Sequence, residues 1–427
     1  MLRLDRKEQR KNSDERMTTK YGLSEETALR LGYLVAGNFC LYQGFQIWVR
    51  GRVETNPHVV GLTLIVYAIS FVLLGIAFSS ETNLHRFEHL LLLGVLFVTL
   101  SSGYVIAQIL YKGAYRTDAL AFSHYSAILF LRGYNPYVMD LDPAFAMFPV
   151  DPSYITLTPS MDISTNLAYP ALHFLYFVPF VAAGIRDMRV ILFAFEITTF
   201  VLLYFKAPRG LRPLVLAPII VNTDLVIDFN AGSVTDALWV LPMVAMVFLM
   251  KDPIKSGLLY GVACATKQQP WILAPFLLVW ILKEGKHGQV VKLCRAIRFF
   301  GAASVAFLTP NLAFMAMNFN TWVNDILSPI SGGLIVLSQG LSVLTQAGLL
   351  DLPPTFYFGA TVAVLLTLLG NYVVYFRKLK HTIWLFPAVI MWFSYRALQN
   401  YFMYWVPVAV AGYLAWKEEK EDGSAKT

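Results

Sequence analysis

The sequence predicts an all-α polytopic membrane bundle, and three observations predict it. Of its 427 residues, 57% are apolar and 15% aromatic while only 14% are charged, proportions outside the range of water-soluble domains. Many of the apolar residues fall in runs near the ~20 needed to cross roughly 30 Å of hydrocarbon. These runs are continuously apolar rather than alternating in segments of about 10, the pattern of helices and not of barrel strands. They occupy residues 29–48, 59–78, 90–111, 172–185, 190–205, 214–227, 234–250, 258–265, 271–282, 299–317, 356–375, 383–393 and 401–416, and read as roughly 11–13 transmembrane helices.

In chain order, residues 1–27 carry Arg3, Arg6, Lys7 and Arg10 with no short apolar core behind them. They read as a cytoplasmic tail, not a signal peptide. Residues 28–416 read as one transmembrane domain and 417–427 as a second cytoplasmic tail. Counting from a basic inner N-terminus puts 112–169 outside, as a first large extracytoplasmic loop carrying interfacial helices. Counting back from the C-terminus puts 377–380 inside, and 396–400, 318–354 and the hairpin tip 266–270 outside. Three runs between 169 and 222 leave an odd number where an even one is required, so either one of them is re-entrant or the cluster Lys206, Arg209 and Arg212 lies outside against the positive-inside rule. Pro213 and Pro218 make 214–227 the expected broken helix. The glycine-broken apolar segment 328–350 is expected as a helix in the outer interface. The net charge of +7 gathers at helix ends, which is positive-inside topology and not nucleic-acid binding. Cys40, Cys264 and Cys294 lack metal-ligand spacing.

This parity brings Asp118, Lys267, Arg396 and the segment holding Asp224, Asp228, Asn230 and Asp236 to the outer face. An acid and two cations where headgroups lie suit chemistry on a lipid-linked phosphate. Plainer roles exist for each. Asp118 follows Thr117 at a helix start and fits an N-cap, and Lys267 and Arg396 fit snorkelling cations at helix ends. His124 lies on the short amphipathic helix expected after Asp118, and reads first as a wet interfacial histidine, then as a substrate contact. Asp140 and Asp142 read as solvated acids before a metal-binding pair. Tyr395, Tyr401, Tyr404 and Trp405 fit an interfacial belt first and a sugar-stacking surface second. The proline-rich stretch 134–169 is long enough to serve as a lid.

The order of these features resembles the GT-C superfamily of integral membrane glycosyltransferases, and within it the glycosyltransferase 87 family of polyprenyl-phosphate-mannose-dependent mannosyltransferases. The likeness is carried by Asp118 with the Ala121-Phe122-Ser123-His124-Tyr125-Ser126 helix, by Arg132-Gly133-Tyr134-Asn135-Pro136-Tyr137, and by Tyr169-Pro170-Ala171-Leu172. Further on it rests on Asn230-Ala231-Gly232-Ser233, on Ala265-Thr266-Lys267-Gln268-Gln269-Pro270 followed by Pro275, and on Tyr395-Arg396 before Pro407. It runs from about Asp118 to Pro407, and the arrangement N-terminal to it departs from the family pattern.

The resemblance implies a GT-C-like bundle that transfers a sugar, mannose first, from a polyprenyl-phosphate donor. The acceptor would be lipid-linked or a glycolipid, the face extracytoplasmic and the anomeric centre inverted. It implies Asp118 as general base and Lys267 and Arg396 as cations for the leaving phosphate. His124, Asn230, Gln268 and Tyr395 are the further expected substrate contacts. Neither a metal nor another cofactor is expected. The competing class is a transporter or flippase of a lipid-linked or polar substrate, which usually gathers its charges near the midplane within inverted repeats.

Overall fold

The computed structural model describes residues 24–52, 54–208, 211–213, 215–216, 227–285 and 288–424. Most of the first tail, together with Pro218, Asn222 and Asp224, lies outside the described residues. The chain is overwhelmingly helical. Among the described residues four helices are long and apolar enough to cross a membrane: Pro57–Ala77, Glu88–Leu110, Gln289–Met317 and Pro354–Val374. The last two bury only 22% and 11% of their apolar windows within the protein, so most of that apolar surface is left uncovered by the protein itself.

Two compact units divide the chain: Met1–Leu110 with Phe200–Ile227, and Tyr111–Thr199 with Asp228–Thr427. In the first, Ser24 caps the Glu25–Arg50 helix by accepting from Thr27 N–H at 3.1 Å. Two largely buried polar pairs there satisfy each other, as burial favours: Ser102 donates to Gln43 at 2.8 Å and Arg212 reaches Glu88 at 2.6 Å.

The second unit packs Pro253–Thr266 against Gln289–Met317 through Gly257 and Gly261, where an added Cβ would stand 2.2 Å from the Phe299 and Ala303 carbonyls. This small-xxx-small spacing lets two backbones touch. It leads the helix to its end at Thr266 and so fixes where Lys267 emerges.

Three expectations change. The run 172–185 is not a span: it forms Leu172–Leu175 and Val178–Ala182, four and five residues long, which together rise only ~14 Å. The break expected in 214–227 falls largely outside the described residues, while 172–185 is interrupted before Pro179. The segment 328–350 is not one helix either. The Phe319–Ser331 helix stops at Gly332 in the left-handed region (φ 82°), and a two-residue strand, Leu337–Ser338, then pairs in parallel with Arg396–Ala397 before the short helix Val343–Gln346. Gly340 permits this path, because a side chain there would meet the Trp392 carbonyl at 2.2 Å. Finally, Asp118–Leu131 is a helix as expected but not an amphipathic one. Asp118, Leu120 to Ala127 and Leu129 are all buried.

Candidate active site

The site lies within the second unit, where the helix start at Asp118, the turn Asn230–Val234, the Thr266–Gln268 corner and the strand at Arg396 converge. Asp118 is the first helical residue and Thr117 is the N-cap. The Thr117 hydroxyl donates to the Ser233 carbonyl at 2.9 Å. Ser233 itself holds φ 74°, a conformation that costs a non-glycine residue roughly 1–3 kcal/mol and recurs at functional sites. The Asp118 carboxylate accepts the Thr156 backbone N–H at 2.7 Å, which ties the proline-rich stretch to the start of this helix. Burial pushes the Asp118 carboxyl above the usual carboxylate range; the Thr156 bond and the nearby Arg396 charge pull the other way.

Arg396 is 8% exposed. Its Nη1 donates to the Ile335 carbonyl at 2.7 Å, and among the described residues no carboxylate lies within ion-pair distance of it. A buried guanidinium with spare N–H groups is set up to receive an anion. Lys267 differs. Its Nζ pairs with the fully buried Asp236 at 2.7 Å, and Asp236 also accepts from Asn400 at 2.6 Å and Trp239 at 2.9 Å. Lys267 is thus locally neutralised, and Arg396 supplies the net positive charge.

Tyr169 joins the two halves. Its ring stacks on His173 at 4.1 Å and lies 5.3 Å from Lys267 Nζ, and its carbonyl accepts from the Tyr137 hydroxyl at 2.7 Å. Burial raises its phenol well above the ordinary tyrosine range, and the charges of Asp118, Asp236 and Arg396 all act on it. His173 in turn bonds Ser123 and Thr235, each at 2.8 Å.

The other expected contacts are committed elsewhere. His124 is buried rather than wet: it bonds the Tyr115 hydroxyl at 3.0 Å and stacks on Phe148 at 4.1 Å, and burial lowers its pKa to about 4. It points ~240° around the helix from Asp118 and stays neutral, as a core histidine. Gln268 spends its amide on the Ala168 and Ile326 carbonyls, both at 2.8 Å. Asn230 accepts from the Tyr404 hydroxyl at 3.0 Å, and the Tyr395 ring lies against Tyr357 at 5.9 Å. Asp140 and Asp142 form a local turn, the Asp142 N–H donating to Asp140 at 3.0 Å.

Two residues outside the expected set matter. Arg189, 2% exposed, pairs with Asp187 at 2.7 Å and donates to the carbonyls of Gly113, Ala114 and Ala231, clamping the segment before Asp118 to the Asn230 turn. Arg189→Met is expected to destabilise the protein by about 1–3 kcal/mol, the cost of leaving buried carbonyls without their donor; a thermal midpoint equal to wild type would contradict that role. Asp325, 5% exposed, has its carboxyl pushed up to about 7 by burial, against a hydrogen bond from Asn166. The native state therefore holds a proton that the unfolded chain releases, and stability falls as pH rises from ~4 to about 7. Asp325→Asn should raise the melting temperature little at pH 4.5 and most above pH 7.

Comparison with protein-family models, with curated proteins and with solved structures returned no match to this chain.

Proposed function

We propose that the protein is a membrane glycosyltransferase of roughly 11–13 spans with both termini cytoplasmic, moving a sugar from a polyprenyl-phosphate donor to a lipid-linked acceptor on the extracytoplasmic face. Asp118, ionised, takes the proton of the acceptor hydroxyl. The acceptor oxygen bonds the anomeric carbon from the face opposite the donor oxygen. The carbon–oxygen bond to phosphate breaks with its electron pair going to phosphate, and the configuration inverts. Arg396 meets the charge that develops there. Lys267, paired with the Asp236 that Asn400 also holds, lies beside Tyr169. Mannose is the first donor to try, and no metal enters the scheme.

The observation that carries this reading is a buried carboxylate and a buried, carboxylate-free guanidinium acting on each other around Tyr169. Arg396 also helps to keep Asp118 available as a base despite its burial. The test is transfer from a panel of radiolabelled polyprenyl-phosphate sugars into membrane lipids by purified protein. Transfer that requires Asp118 supports the reading. Absence of transfer from every donor, together with movement of a polar solute across liposomes, replaces it with a transporter.

A further inference from the structure

A charged cavity lies at the far ends of the helices that lead to this site. It is open to the surface and measures about 490 Å³ where the end of Ala274–Lys283, the start of Gln289–Met317 and the end of Pro354–Val374 come together. Lys283, Lys292, Arg377 and Lys378 line it, with Gln289 and Tyr375. Such a volume is of the size that holds a small ligand or a headgroup.

Among the described residues its charge has no carboxylate set against it. Two acids paired with neighbouring cations are already taken: Glu284 by Lys380 at 3.0 Å and Arg295 at 3.7 Å, and Glu419 by Lys380 at 2.7 Å and His381 at 3.1 Å. Among the described residues none of the four lining cations has a carboxylate partner. Lys283 donates to the Val373 carbonyl, which fixes its ammonium at the rim. Lys292 is 9% exposed and has no side-chain partner among the described residues. Burying an ammonium without an anion is costly, so the site is incomplete as it stands.

The surroundings name the ligand. Val290 is 76% exposed, Leu293 55%, Ile297 62% and Val374 71%, so apolar surface continues from the cavity along two helices long enough to cross a membrane. A soluble anion gains nothing from such a skirt; a lipid fills both parts at once. We propose that this cavity binds the phosphodiester headgroup of an anionic phospholipid, with the acyl chains lying on the exposed apolar faces of Gln289–Met317 and Pro354–Val374. Positive charge at that end agrees with the cytoplasmic side in the span count.

The experiment titrates purified full-length protein, in zwitterionic detergent, with dioctanoyl-phosphatidylglycerol and follows binding by intrinsic fluorescence. Dioctanoyl-phosphatidylcholine, glycerophosphoglycerol and inorganic phosphate are titrated alongside. Saturable binding of the anionic lipid alone is expected. Each removed charge should weaken it about fivefold: once in Lys292→Gln, and about 25-fold in the exposed pair Arg377→Gln/Lys378→Gln, which carries the test if Lys292→Gln fails to fold. Lys292→Arg should retain binding, and the charge-matched control Lys255→Gln/Arg298→Gln should leave it unchanged. Equal binding of phosphatidylcholine, or unchanged affinity in the Arg377/Lys378 pair, overturns the proposal. Binding of glycerophosphoglycerol or phosphate as tight as that of the lipid overturns the lipid assignment in favour of a soluble phosphate.

Discussion

Asp118→Asn is expected to slow sugar transfer by about 10²–10⁴-fold, the share a positioned general base contributes, in a protein that remains folded. Asparagine matches the carboxylate in shape, and its carbonyl oxygen can still accept the Thr156 N–H. Thr117, not Asp118, stands at the N-cap position and makes no side-chain cap bond there, so the substitution removes none. Only the proton acceptor is lost. The pH dependence gives an independent check. The base works ionised and burial raises its carboxyl, so the rate should fall with acid at a pH above the range in which an exposed aspartate titrates. A variant with wild-type turnover and the same acid limb would sink the assignment.

The second large effect is at Arg396. Alanine there should lower kcat by about 10²–10³-fold, as loss of one preorganised donor to a developing anion does. Lysine should recover only part, because a point charge does not reproduce a planar fork. The side chain also holds the Ile335 carbonyl at 2.7 Å, so both variants are compared by thermal midpoint as well as by rate. A rise in KM with kcat unchanged would mean that Arg396 holds the donor without favouring the transition state. No change in either removes it from the site.

Much of the helical content was legible from the sequence, because continuous apolar runs dictate helices. What was not legible turned on single residues that interrupt such runs. Pro179, Gly332 and Gly340 break 172–185 and 328–350 in ways that apolar composition conceals. In the site, Asp118 and Arg396 could be singled out by their place beside apolar runs. Asp236 could be noticed, but its pairing with Lys267 across 31 positions has no local signature. Arg189 looked like any cation at a helix end, since nothing in its neighbours announces three carbonyls converging from residues 113, 114 and 231. The core position of His124 escaped for the opposite reason: its partners Tyr115 and Phe148 come from loops, where periodicity is silent.

The bond between Asp118 and the Thr156 amide makes the loop a reporter of the base's charge. A carboxylate is a stronger acceptor than a carboxylic acid, and linkage is reciprocal: whatever the N–H does to lower the carboxyl's affinity for a proton, the proton does to loosen the N–H. Each protonation of Asp118 therefore slackens the tether at Thr156, and each deprotonation draws it tight. The same atom that would accept a substrate's proton thus acts as a latch on the chain covering it. Hydrogen exchange at Thr156 should quicken as pH falls, after correction for the intrinsic rate, and should lose that dependence in Asp118→Asn.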